Sequence, residues 1–190
     1  MDAVLLRRWT RQEYDKMVTA GIFPPGERVE LVDGEILAMT PQGSAHATGV
    51  RLTEEALRVV FGAGYDVRIQ MPLALDPSSE PEPDVTVVHG SPRDYRDAHP
   101  TSALLLVEVA DTTLLYDREQ KGSLYARAGV AEYWIVNLLD HCVEVYRDPA
   151  LLSQGRYGWG YRTAQTYTVG DHFSPLTAPQ ARVSVADLLP

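Results

Sequence analysis

Lysine is almost missing from this chain: of 17 basic residues only Lys16 and Lys121 are lysines, and the rest are arginines. Each lysine therefore asks for an explanation. Cysteine is reduced to Cys142, which excludes an intramolecular disulfide and any zinc site built on paired thiolates, and a buried structural thiol is expected. Long apolar runs are lacking too. The longest, residues 103–109, is interrupted by Glu108 and is far short of the roughly 20 residues that cross a bilayer, so no membrane span is expected. Residues 1–9 carry neither a long apolar stretch nor a small-residue cleavage site of the secretory kind, and a cytoplasmic location is expected. Positive charge is scarce overall, with 26 acidic against 17 basic residues, a formal charge of −9 and a pI near 5.0. That balance argues against holding nucleic acid through a broad basic surface, so any contact with DNA has to be local. The sequence also has no Gly-x-Ser-x-Gly elbow, His-Glu-x-x-His helix, Walker loop or Gly-x-Gly-x-x-Gly fingerprint, and no internal repeat.

What is present is 190 residues with 45% apolar content, enough for one compact domain over 1–190 with its core at about 28–147. Residues 10–20 read as a helix that opens with the capping box Thr10-x-x-Glu13 and closes at Gly21. Residues 28–39 place two β-rich arms around Asp33-Gly34, a dipeptide suited to a type I′ hairpin. Residues 44–61 predict a helix, with Ala47, Val50, Leu57 and Phe61 near helical spacing and Glu54 and Glu55 interrupting the stripe. Strands follow at 65–75, 84–88 and 104–110, then a helix at 117–129 and a strand pair at 132–137 and 142–147 turning through 138–141. The Tyr-, Thr- and Gly-rich tail from 155 onward predicts short strands or an edge hairpin, and residues 183–188 close the chain. The expected class is α/β, a central mixed sheet flanked by helices with an N-terminal helix and β-hairpin.

Chemistry-bearing residues fall in order along this frame. Hydrolysis of a phosphodiester at neutral pH is helped by carboxylates that hold Mg²⁺, an activated water and a cation that offsets developing negative charge. Asp84 follows Pro83 at the start of a strand, a rim position where proline needs no ladder bond. Glu108 lies near the end of Leu-Leu-Leu-Val-Glu-Val-Ala and shares a strand face with Leu104 and Leu106. The bland alternative for it is a strand-end group that pairs with an arginine or reaches solvent. Lys121 is on one helix stripe with Leu124, Tyr125 and Ala128 and should face inward; its bland alternative is a snorkelling lysine. His46 and Gln70 could orient water or substrate, although a polar cap or rim role serves each equally well. Asp111 and Asp117 suit turns or helix caps.

Glu30-Leu31-Val32-Asp33-Gly34, Glu82-Pro83-Asp84-Val85, Leu106-Val107-Glu108-Val109 and Tyr116-Asp117-Arg118-Glu119-Gln120-Lys121, running on to Tyr133-Trp134-Ile135-Val136, form an ordered set. In this set the chain resembles the PD-(D/E)XK nuclease superfamily, in its restriction-endonuclease-like branch of the Uma type, over residues 28–147. The resemblance implies a DNA endonuclease that uses Mg²⁺ or Mn²⁺, with Asp84 and Glu108 as metal ligands. Position 110, two residues after Glu108, is Ala110 where the motif has lysine; the branch implies that the lysine role is displaced onto the next helix, at Lys121. Glu30 matches an additional acidic position, whose bland alternative is a solvent-facing hairpin glutamate. Arg51, Arg58 and Arg68 are candidate phosphate contacts. Such folds often cut duplex DNA as dimers, and a homodimer could draw interface area from Trp134 or the tyrosine-rich tail. Two other readings stand beside this one: a catalytically inactive nuclease-fold binding or assembly protein, and a hydrolase of another phosphate-containing substrate.

Overall fold

The computed structural model describes residues 6–190. Helix α1, Arg11–Thr19, begins where Thr10 and Glu13 form the full capping box. It lays Tyr14 against the first hairpin, where the tyrosine hydroxyl donates to the Val29 carbonyl at 2.8 Å. That hairpin is β1, Val29–Val32, and β2, Glu35–Ala38, paired antiparallel. Its turn residues Asp33 and Gly34 have φ of 48° and 78°, the double positive φ that a type I′ turn demands. A side chain at position 34 would collide with Arg8 at 2.6 Å, so glycine is required there on two counts.

The main sheet has six strands in the order β3-β4-β5-β6-β7-β8. They are β3, Tyr65–Ile69; β4, Val85–His89; β5, Leu105–Ala110; β6, Glu132–Asn137; β7, Cys142–Leu151; and β8, Trp159–Thr168. Only β5 and β6 run parallel, because a helical crossover joins them while hairpin-type returns join the others. The expected mixed α/β sheet is therefore observed, with one enlargement. Of the two forms expected for the tail, short strands or an edge hairpin, the second is observed: β8 is a ten-residue edge strand paired antiparallel along β7 from Cys142 to Leu151. The strand expected at 65–75 stops at Ile69, where Gln70 takes a φ of 48°.

Alternation sorts the sheet into two faces. Val107, Val109, Trp134 and Val136 point to one face, beneath helix α2, Ser44–Phe61, and the C-terminal residues Phe173, Val183, Val185 and Leu188. Gly49 allows α2 to sit close, since an added Cβ there would stand 3.0 Å from Val109. Leu106, Tyr133 and Ile135 point to the other face, against Leu124, Tyr125 and Val32. Trp134 is fully buried and stacks edge-on against Phe173 at 4.8 Å, so it supplies no interface area, contrary to the expectation. Cys142 is a buried free thiol, as expected. Among the described residues no helix is long and apolar enough to cross a membrane.

The crossover from β5 to β6 is a composite helix. A short α3, Leu114–Tyr116, leads into a π-helical turn, Asp117–Lys121, and then α4, Gly122–Arg127. Leu124 and Tyr125 face inward as expected, but Ala128 is exposed, because the helix ends at Arg127 and Ala126 takes the buried position instead.

Candidate active site

Period-two alternation places Glu108 on the same sheet face as Leu106, and it is 3% exposed. A carboxylate in that apolar setting needs partners, and the crossover helix brings two. Lys121 Nζ donates to Glu108 Oε1 at 3.0 Å, and the Tyr125 hydroxyl donates to the same oxygen at 2.6 Å. Lys121 is itself 6% exposed, so it does not snorkel, and its ammonium also stands 3.6 Å from Glu30 Oε2. Glu30 in turn is buried and accepts from the Glu82 N–H at 3.1 Å, which excludes the solvent-facing alternative. The hairpin is fastened to the chain before β4 through the Leu31–Glu80 bridge, and this fastening carries Glu30 to the site.

Asp84 immediately precedes β4 and meets Glu108 across the strand pair. Its N–H donates to Glu108 Oε2 at 3.3 Å, and its Oδ2 accepts from the Val109 N–H at 2.9 Å. Its other oxygen is held by Gln70 Nε2 at 3.0 Å and by His46 Nε2 at 3.1 Å. The left-handed backbone at Gln70 is what turns that side chain toward Asp84, an instance of uncommon geometry kept at a polar site. His46 arrives on the first turn of α2. Both residues were assigned no more than an orienting or rim role from sequence, and both touch the first acidic residue directly. Asp117, for which a turn or cap was expected, is 3% exposed and accepts from Thr113 at 2.6 Å while lining the same cavity.

That cavity, of about 550 Å³, has Glu30, Asp84, Glu108, Asp117 and Lys121 in its wall, with Met39, Asp111 and Tyr116 nearby. All four sequence-predicted residues, Glu30, Asp84, Glu108 and Lys121, come together in it. The proposed phosphate contacts do not. Arg51 and Arg58 lie elsewhere on α2 and pair with Glu54 and Glu55, and Arg68 is buried under Tyr95, 5.2 Å from its ring centre. Arg28 is the arginine in the cavity wall. Sequence reasoning gave Tyr125 only a packing role; its position four residues after Lys121 was the signal that both reach the same side.

Electrostatically the cluster is rich in anions. Burial pushes the Glu108 carboxyl up to about 8, with Asp84 and Asp117 adding to the push and Lys121 opposing it. Burial likewise raises Asp117 to about 6 against the pull of Lys121. For Asp84 burial acts upward as well, but His46, the Val109 N–H and Gln70 outweigh it and hold the carboxyl below its ordinary value. Lys121 is held well above its ordinary range by Glu108, Glu30, Asp117 and Asp84 despite its burial. One ammonium among four carboxyl groups keeps its proton, and the upward push is larger on Glu108 than on Asp117.

Among the described residues no three His, Cys, Asp or Glu side chains form a ready-made metal cage. Mg²⁺ does not require one, since it is usually bound by one or two carboxylates with water and phosphate completing the octahedron. Asp84 and Glu108, adjoining hard oxygen donors in a site with surplus negative charge, fit that manner of binding.

The sequence pattern of the Uma2 family, described as "Putative restriction endonuclease", matches residues 11–186. In three dimensions the chain is similar to a crystal structure described as "a putative nuclease belonging to DUF820" from Anabaena variabilis. The TM-score is 0.65 at 15% identity, over 94% of this chain and 96% of that one; at this identity the likeness speaks for the fold. No curated protein matches the chain.

Proposed function

The chain belongs to the Uma2 restriction-endonuclease family, and from that premise we propose that it is a divalent-metal-dependent nuclease that hydrolyses phosphodiester bonds of DNA in the cavity around Asp84 and Glu108. The observation that carries this reading is the meeting of Asp84, Glu108 and Lys121 through direct contacts in one cavity wall, even though position 110 is alanine. The lysine arrives from the crossover helix instead of the strand, and its Nζ reaches the second carboxylate at 3.0 Å.

In this mechanism Asp84 and Glu108 would hold the ion, Mg²⁺ or Mn²⁺. A bound divalent ion would supply charge neutralisation at the phosphate and acidify water. Lys121, which keeps its proton among the carboxyls, positions the attacking water and offsets charge on a phosphate oxygen. Tyr125 fixes the rotamer of Glu108 through its 2.6 Å hydrogen bond. Glu30 holds the ammonium in place from the hairpin side. Gln70 and His46 orient Asp84 from two other elements. A cytoplasmic location and duplex cutting as a homodimer accompany the reading as expectations.

One observation favours a second reading, a nuclease-fold binding protein without turnover. Both Asp84 oxygens already have hydrogen-bond donors, so His46 or Gln70 must yield an oxygen before that carboxylate can bind metal. Incubating supercoiled and linear DNA with the protein in Mg²⁺, Mn²⁺ or EDTA separates the two. The nuclease reading expects metal-dependent nicking or cutting that falls by about 10³-fold in folded Asp84→Asn and Glu108→Gln variants. Activity that persists in EDTA or in both variants belongs to a contaminant, and the absence of any cleavage with either metal selects the binding protein.

A further inference from the structure

Tyr116 was read from sequence only as part of the segment that carries the family resemblance. Its hydroxyl is buried and has no hydrogen-bond partner, whereas its side chain lines the same cavity as Asp84, Glu108 and Lys121. A buried hydroxyl without a partner is destabilising, and phenylalanine, which lacks only that oxygen, would avoid the cost. Glu30, Lys121, the Tyr157 phenol and Glu108 all lie near enough to act on this hydroxyl, which places it beside the acidic cluster. Burial and the neighbouring carboxylates keep its proton on, and what it offers is a donor.

The backbone accounts for its direction. Tyr116 and Lys121 are five residues apart, which in a regular α-helix would send them about 140° apart around the axis. Between them lies the π-helical turn, closed by the Gly122 N–H donating to the Asp117 carbonyl. The wider i→i+5 turn brings the fifth residue back round toward the first, and Tyr116, Asp117 and Lys121 all line the cavity. Single π-turns inside helices are frequent at functional sites, and here the turn has an identifiable consequence.

We propose that the Tyr116 hydroxyl is a substrate-binding donor, reserved for a non-bridging oxygen of the phosphate that enters this cavity. The assignment rests on the nuclease reading for the identity of the substrate but not for the existence of the contact. The two basic residues of the wall, Lys121 and Arg28, are already paired with Glu108 and Glu30 and with Glu82, so a phosphate oxygen entering here still needs a donor, and a neutral hydroxyl supplies one without adding charge.

The test is Tyr116→Phe, which removes only the oxygen, followed by three readings. The first is thermal unfolding without metal. The second is the affinity for a short fluorescein-labelled single-stranded oligonucleotide in Ca²⁺. The third is cleavage in Mg²⁺ and Mn²⁺, with Asp84→Asn as the control for metal-dependent turnover. The expected result is a variant that melts at or above the wild-type temperature and binds about tenfold more weakly, as loss of a hydrogen bond to a charged group implies. Lower thermal stability would mean that the hydroxyl has a structural partner, and equal affinity and cleavage would mean that it touches no phosphate; either overturns the proposal. If the wild type binds the oligonucleotide but cuts nothing while the variant binds tenfold more weakly, the nuclease reading falls and the Tyr116 contact stands. If the wild type cuts and the variant matches it in every reading, the reverse holds. If the wild type does not bind the oligonucleotide, the Tyr116 proposal falls, and the nuclease reading is decided by the cleavage measurement alone.

Discussion

Glu108 and Lys121 form a buried ion pair at 3.0 Å, yet the two residues are not equivalent, because the pair sits inside a group of four carboxyls with one ammonium. Removing the cation leaves Glu30, Glu108 and Asp117 facing one another in low dielectric. Removing one anion leaves the cation still attended by Glu30 at 3.6 Å and by Asp117. Truncating one partner of a buried pair typically costs about 3–5 kcal/mol when it strands a charge. Lys121→Met is therefore expected to lose stability of that order. Glu108→Gln keeps an amide oxygen for Lys121 and Tyr125 and gives up only the longer 3.3 Å bond from the Asp84 N–H, so in EDTA it is expected to lose much less stability than Lys121→Met. Parallel urea titrations check this asymmetry, and equal losses in both variants would show that the pair, not the surplus of anions, governs the site.

The composite helix between β5 and β6 carries Tyr116, Asp117 and Lys121, and its outer side is clamped to the sheet by Arg118. That guanidinium donates to both oxygens of Glu144 on β7, from Nε at 2.9 Å and from the terminal nitrogen at 2.5 Å. Burial alone would raise Glu144, but hydrogen bonds from Arg118, Tyr146 and Asn137 outweigh it and hold the carboxyl below its ordinary 4.5. A depressed folded value means that the clamp stabilises fully above pH 4.5 and is lost as pH falls through the lower folded value. Glu144→Gln should accordingly lower stability at neutral pH and flatten the acid limb of the unfolding curve, measured by urea midpoint from pH 7 down to 3; an unchanged acid limb would remove the clamp from the account. This helix is also where sequence reading reached its limit. Periodicity located Lys121, Leu124 and Tyr125 on an inward stripe, and alternation placed Glu108 on the opposing strand face, so the two halves of the pair were legible. The π turn was not, because an extra residue in one helical turn leaves no compositional mark, and with it went the inward direction of Tyr116 and Asp117. Gln70 and His46 were named as candidates to orient water or substrate, but their meeting with Asp84 was not legible: each reaches it from a distant element, and sequence spacing does not encode such convergence. For the tail, sequence left short strands and an edge hairpin open, and could not choose the hairpin with its long β8 because Gly- and Thr-rich strands at a sheet edge lack the apolar alternation that marks buried ones.

For the whole molecule the governing number is the formal charge of −9, set against a cavity whose wall holds Arg28 and Lys121 as its basic residues. Arg28 is already paired with Glu82 at 2.7 Å, and Arg51 and Arg58 are paired along α2. A polyanion approaching this cavity meets cations that are already paired, so on the proposed nuclease reading the attraction that ordinarily dominates nucleic-acid affinity is expected to come from bound divalent ions more than from the surface. Release of counterions from about two phosphates implies a slope of log affinity against log salt of roughly −1.5 for a single strand, far shallower than for proteins that grip DNA through a basic face. Oligonucleotide titrations in Ca²⁺ across a range of NaCl concentrations measure that slope, and the same titrations in EDTA should show binding nearly abolished. A slope steeper than about −5, or binding that survives EDTA, would require a basic surface that a single chain does not present. It would point to phosphate contacts assembled between copies of the chain, where arginines outside the cavity could be brought to face a duplex.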